Sequence, residues 1–272
     1  MEYHVEYHEN MFVDDSTEFE YHIEQVCGSY VSVEVSELIN QEWWNTIDPI
    51  YSNGLRFYHN LHHVDGMVRV LGRIPYLKSP STLWLATLYH DLILVPGRKD
   101  NEERSAAYAL RMLRKFGVPL PTLLKVHNYI LKTKDHPEDY GNDPDLAAFL
   151  DADLYYFREH WGGYLEITNR IIREYHLRYR RRYTLVQILA GRRDFLKEFQ
   201  KRKRIYLHHV NSPYDGRARE NIEKEIDLRQ GQIEELQGFA LGGFNPKAGD
   251  YNDVPLDLFL RGIEEAGYLR VS

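Results

Sequence analysis

From Leu83 to Tyr89 the chain is almost wholly apolar, and it then passes without a spacer into His90-Asp91. A helix of that composition must be buried, which fixes two chemically active groups at the end of a core element. Buried polar side chains require partners. The chain offers them in His63, within Tyr58-His59-Asn60-Leu61-His62-His63, and in Asp153, within Leu150-Asp151-Ala152-Asp153-Leu154. Two imidazoles and two carboxylates can close most of the first shell of one divalent ion and leave positions for water and a ligand. With no thiolate among them, the donors suit Mn²⁺, Mg²⁺, Fe²⁺, Co²⁺ or Ni²⁺ and tolerate Zn²⁺. Neighbouring helical residues point about 100° apart, so His90 and Asp91 converge on one ion only where a helix end faces a cleft.

Length bounds the fold loosely: 272 residues accommodate one large domain or two small ones. No apolar run reaches about 18 residues, so no spanning helix is expected. The start, Met1-Glu2-Tyr3-His4-Val5, lacks a basic region followed by an apolar stretch. Cys27 is the single cysteine and has no internal partner. A soluble, cytoplasmic protein with no membrane partner is the expectation. The net charge of −7 conceals an asymmetry: twelve acids and no Lys or Arg to Leu55, then thirteen Lys/Arg against three acids between Arg170 and Arg204. The basic segment reads either as solvated helix faces or as a positive field beside an anionic ligand. The acidic balance argues against a general nucleic-acid binder.

Punctuation along the chain predicts an all-α fold. Alternation at Val31, Val33 and Val35 suggests a short strand or extended arm; beyond it the pattern turns helical. Asp100 as N-cap, Glu103 at the capping-box position, Gly117 as C-cap and Pro119 beyond frame one helix. Others are predicted over Leu123–Lys132, Asp145–Phe157, Tyr164–Tyr179, Val186–Ile205 and Arg217–Leu236, with Gly162-Gly163 as a break. Gly238 to Asp253 reads as irregular, followed by a short helix near Leu256 to Glu265. The implied organisation is an acidic N-terminal extension (1–34), a helical domain (35–229) and a C-terminal extension (230–272).

The ordered set His63, His90-Asp91, Asp153 resembles the H…HD…D signature of the HD-domain metal-dependent phosphohydrolases. The blocks Arg56 to Val64, Leu88 to Asp91, Asp100 to Ala106, Thr133-Lys134-Asp135-His136 and Leu150 to Leu154 are similar to one branch of predicted HD phosphohydrolases. Later echoes are Ile172-Arg173-Glu174-Tyr175, Gly191-Arg192, Arg202 to Tyr206 and Ala218-Arg219-Glu220-Asn221. The resemblance implies an HD-domain helical bundle holding one divalent ion among its central helices, with His63, His90, Asp91 and Asp153 as ligands. Asp151 and Asp153 point to different sides of a helix, so only one is a direct ligand, and the motif position implies Asp153. His59, one turn before His63, is assigned to the substrate or to support of a ligand.

A phosphohydrolase also needs a carboxylate to handle protons and cations to meet the phosphoryl charge. Glu102 is the candidate acid–base group, since Glu103 has a capping explanation and Glu102 has none. Lys134 and His136, then Arg104 and Arg173, are the candidate phosphate contacts, with Arg56 a weaker one. The expected substrate is a small-molecule phosphate ester or anhydride, a nucleotide by family analogy, and a homo-oligomer is open. The rivals are an HD-type di-iron oxygenase, which the short His127–His136 spacing disfavours, and a non-catalytic module gripping a nucleic acid or other polyanion through Arg170–Arg204. No Walker-type loop and no Gly-x-Ser-x-Gly elbow is present.

Overall fold

The computed structural model describes residues 33–95, 98–179 and 182–241. The predicted acidic arm up to residue 32, Cys27, and the segment from 242 with its expected irregular stretch and last helix lie outside the described residues. Within them the fold is all-α, with no strand. Helix α1 (Val33–Glu42) continues through a wide turn at Trp43–Ile47 into the single turn α2 (Asp48–Tyr51). Val33 and Val35 therefore lie in a helix rather than in the strand or arm that their alternation suggests. Two alternations are too short a signal to outweigh the helical pattern that follows.

Three helices build the centre. In α3 (Leu61–Leu71) the Asn60 side chain caps the N-terminus by accepting from the His62 amide at 3.0 Å. Its buried face carries His63, Met67, Val70 and Leu71, the helical period that places a polar residue among apolar ones. In α4 (Pro80–Tyr89) every residue from Thr82 onward is buried, so this helix runs through the core as its composition demands. In α7 (Pro144–Asp153) Asp143 accepts from the amides of Asp145 and Leu146, and the helix is buried from Asp145 to Ala152. Each fully buried Leu or Phe here contributes about 1.5–3 kcal/mol. That fixes the positions of the polar residues carried on the same elements.

Around this centre pack α5 (Asn101–Lys115), α6 (Leu120–Lys132), α8 (Trp161–Tyr179), α9 (Leu185–Gln200) and α10 (Asp215–Leu241). Gly117, after α5, has φ +77°, the left-handed conformation that ends a helix at glycine without strain. The Asp100 side chain, by contrast, makes no capping bond. It is held by Arg98 at 2.6 Å and Arg104 at 2.9 Å, and Glu103 pairs with Lys134, so the expected capping box does not form. Gly162 and Gly163 sit in the first turn of α8 and do not break it. The expected helix Asp145–Phe157 ends at Asp153 and gives way to a short turn, Tyr155–Arg158.

The packed body also passes the boundary drawn at 229. Helix α10 runs on to Leu241, and its Ile233 and Leu236 pack with Ile172, Leu185 and Leu189. At Gly66 a Cβ would stand 2.5 Å from the Tyr155 ring. The glycine thus admits Tyr155 against α3, where the ring lies 6.1 Å from His63 at an interplanar angle of 19°.

Candidate metal centre

The candidate site forms where the ends of α4 and α7 meet the buried face of α3. His63 and His90 bring their Nε2 atoms to 3.2 Å of one another. Asp91 Oδ2 lies 3.1 Å from His90 Nε2 and 3.9 Å from His63 Nε2. His63, His90 and Asp91 form a group that could hold a metal ion. Asp153 reaches both imidazoles, with Oδ1 3.1 Å from His63 Nε2 and 3.5 Å from His90 Nε2. Neighbouring ligand atoms on an ion with bonds of about 2.1 Å stand roughly 3.0–3.4 Å apart in octahedral or tetrahedral shells, close to most of these spacings.

Hydrogen bonding at the rear of the His90 ring supports the same reading. His90 Nδ1 donates to the Thr87 carbonyl at 2.8 Å, so Nε2 is the atom whose protonation can change. His63 Nδ1 is buried with no partner. Burial lowers the pKa of His63, only partly offset by Asp153. For His90 burial acts in the same sense, yet Asp91 and Asp153 together hold its pKa well above the usual imidazole value. Both carboxylates are held below their ordinary range: burial opposes ionisation, but His90 and His59 outweigh it at Asp91, and His136, His63 and His90 do so at Asp153. Carboxylates that stay ionised in a buried cleft are ready ligands for a hard cation.

Asp151, two positions before Asp153, faces elsewhere. It accepts from the amides of Leu207 and His208 at 2.7 and 2.9 Å and from Asn211 Nδ2 at 3.0 Å, so it fastens the 207–211 segment to α7.

His59 is drawn to the same cleft. Its Nδ1 donates to Glu174 Oε1 at 2.8 Å, while its Nε2 stands 4.0 Å from Asp91 Oδ2. Glu174 Oε2 also accepts from the Tyr58 and His59 amides at 2.9 and 3.1 Å. Burial works against the His59 cation, yet Glu174 and Asp91 raise its pKa above the usual value. Glu174 is the residue that reading the sequence left without a role, although it lies in the Ile172–Tyr175 echo. Its hydrogen-bond partners Tyr58 and His59 stand 115 positions away or more, and no local pattern announces them. Arg56, considered for phosphate, is buried and donates instead to the carbonyls of His59, Asp91 and Leu92 at 2.8–2.9 Å. It staples the first histidine segment to the His-Asp doublet.

The cleft opens into a cavity of about 550 Å³ lined by His59, Asp91, Glu102, Lys134, His136 and Asp153 among others. Half-buried Glu102 has a pKa raised above the ordinary glutamate value, through desolvation first and Asp91 second. Lys134 donates to Glu103 and to the Lys99 carbonyl, and Glu103 raises its pKa. His136 adopts φ +43°, a strained conformation for a side chain of its size, and places Nε2 3.1 Å from Asp153 Oδ2.

Two expected phosphate contacts are not brought to this cavity. Arg104 pairs with Asp100 at the surface, and Arg173 lies over the Phe57 ring at 4.4 Å. Within the basic segment, Arg178 donates to the Leu94 carbonyl, Arg193 to Gln230 and Arg202 to the Asp135 carbonyl. Arg192 is buried and pairs with Glu225 at 2.9 Å. These four cations of the segment are thus engaged by partners within the chain. No helix among the described residues is long and apolar enough to cross a membrane. The chain matches no protein-family model, no curated protein and no solved structure.

Proposed function

We propose that this chain is a metal-dependent phosphohydrolase acting on a phosphate ester or anhydride of a small molecule, with a nucleotide as the favoured class. One observation carries the reading: the His63 and His90 Nε2 atoms lie 3.1–3.9 Å from carboxylate oxygens of Asp91 and Asp153, and those two carboxylates line a cavity that also holds Glu102 and Lys134. The sequence resemblance to the HD-domain enzymes points the same way.

In this reading His63, His90, Asp91 and Asp153 hold one divalent ion. Such an ion would lower the pKa of bound water and neutralise charge on a phosphoryl oxygen. Glu102 takes the proton of the attacking water as its oxygen bonds to phosphorus. The P–O bond to the leaving group breaks, and Glu102 returns the proton to the departing oxygen. Lys134 meets the charge on the phosphoryl oxygens. His59, oriented by Glu174, and His136, against Asp153, hold the carboxylate ligands in place. The catalytic assignments are Glu102 and Asp91, with Asp91 acting as a ligand.

The test is a screen of purified protein with Mn²⁺, Mg²⁺, Co²⁺ and Ni²⁺ against a panel of nucleotides, with phosphate and pyrophosphate release followed separately. Metal-dependent release by the wild type, and loss of both turnover and tight metal binding in Asp91→Ala, is the expected result. An Asp91→Ala protein of full activity overturns the scheme. A second reading, a two-iron oxygenase, draws on the contact of His136 with the outer oxygen of Asp153. Two irons per chain by elemental analysis, with oxygen-dependent turnover, would replace the first reading by the second.

A further inference from the structure

We infer that an apolar groove over α3 and α4 seats the acidic segment 1–32 of the same chain. The inference stands apart from the phosphohydrolase reading, since the groove shares no lining residue with the cavity at the candidate metal centre. Val68 and Leu71 of α3, Leu83 and Trp84 of α4, and Ile74 and Leu77 between them line a space of about 300 Å³. No charged side chain of the described residues lines it. Tyr76 also belongs to this lining. It takes φ +65°, a left-handed conformation that is strained for a bulky side chain, and it is 96% exposed. Its ring makes no hydrogen bond and no aromatic contact with the described residues. Strain that holds a large ring in water beside an apolar groove has a use once a further segment lies there to be covered.

Charge names the occupant. From Gly66 to Tyr89 the sequence holds Arg69, Arg73 and Lys78 and no acidic residue. Arg69 pairs with Asp65 at 2.6 Å. Arg73 and Lys78, on either side of Ile74 and Leu77, are exposed and form no ion pair with the described residues. Asp145 accepts the Lys78 amide at 2.9 Å, but its carboxylate is buried and forms no ion pair with the ammonium. Residues 1–32 carry eight acids, six aromatic side chains and no Lys or Arg. An apolar floor beside unmatched cations suits a segment that sets apolar anchors next to anions. This one does so twice: Phe12 stands close before Asp14-Asp15, and Phe19 lies between Glu18 and Glu20.

Reach is sufficient. Helix α1 begins at Val33, and the chain from there back to Phe19 spans about 45 Å when extended. That is roughly the breadth of a compact domain of about 200 residues. Other occupants match the charge less well. The segment 242–272 brings Lys247, Arg261 and Arg270 along with its five acids. A second copy seated by the same face would set Arg73 and Lys78 against their own kind across a twofold axis. Seated in the groove, residues 1–32 would brace α3, which carries His63, against α4, which delivers His90.

The experiment uses the full chain carrying a photoreactive residue, Tyr76→benzoylphenylalanine, beside a control with the same change at Tyr214, which does not line the groove. Isotopically labelled and unlabelled chains are mixed before irradiation, so that mass spectrometry separates cross-links within a chain from those between chains. Capture of residues 1–32 within one chain, about fivefold or more above the Tyr214 control, is the expected result. Arg73→Glu combined with Lys78→Glu should lower that capture about fivefold, whereas Arg73→Lys combined with Lys78→Arg should retain it. Capture of 242–272, cross-links between labelled and unlabelled chains, equal capture at both positions, or no capture at all overturns the inference. Undiminished capture in the charge-reversed protein overturns it as well.

Discussion

Two buried charged clusters lie in this molecule, and they are built on opposite plans. At the junction of α8, α9 and α10, Glu225 accepts from Arg192 at 2.9 Å, from Arg229 at 3.0 Å and from Tyr164 at 2.5 Å. The remaining donors of Arg229 go to Thr168, Asn169 and Gln232 at 3.0–3.1 Å. Burial would push the Glu225 carboxyl upward, but the two guanidiniums hold it down to about 2. Signs alternate there, and every strong group has a partner within the chain. At the junction of α3, α4 and α7, lone pairs and carboxylates crowd together with no permanent cation between them. A cluster of alternating sign is complete as folded, whereas a convergence of acceptors is complete only around a cation.

The sharpest way to break this contrast is to unbalance the complete cluster. Glu225→Ala leaves two guanidiniums buried without a counter-charge and should destabilise the fold by about 3–5 kcal/mol, read by urea denaturation. The metal affinity of the protein that remains folded should not change; a parallel loss of affinity would show that the two clusters are one system. Next in size, Mn²⁺ at a hundred times its Kd should stabilise the wild type by about 2.7 kcal/mol. A calorimetric scan should show no such gain in Asp91→Ala.

Asp151→Ala should cost about 1–3 kcal/mol, because it strands the donors of Leu207, His208 and Asn211. Metal affinity measured by titration should survive that change, and its loss would make Asp151 a ligand. The smallest effect is on pH dependence. Glu102 has a raised pKa, so its base form is lost at a higher pH than for an ordinary glutamate. Activity should fall as pH drops through that raised value, and Glu102→Gln should remove the acid limb of the profile along with most turnover.

Legibility in the sequence follows the range of the interactions concerned. Helix ends set by local chemistry were readable: Gly117 takes the left-handed turn that its position after α5 predicts. The depth of α4 followed from its composition alone. The capping box was not readable, because Arg98 and Arg104 compete for Asp100 and Lys134 takes Glu103 from 31 positions away. The doublet and its flanking motifs named the residues that converge. Sequence could not say that Arg56 serves three carbonyls instead of a ligand, nor that Glu174 orients His59. It also could not foresee Arg173 on the Phe57 ring. The basic run left solvated faces and a positive field as alternatives because the sequence does not show the partners that tertiary packing supplies, such as Glu225 for Arg192.

The span of the candidate centre has a thermodynamic consequence. His63 and Asp153 meet across 90 positions, and His63 meets His90 across 27. An ion shared by these residues would act as a clip that closes two long loops at once, removing from the unfolded chain freedom that grows with the logarithm of loop length. Partial opening of α3, α4 or α7 would release it. Binding of such an ion would therefore be linked to the closure of α3, α4 and α7, and a substitution should weaken it through folding only where it leaves an appreciable fraction of molecules with those helices open.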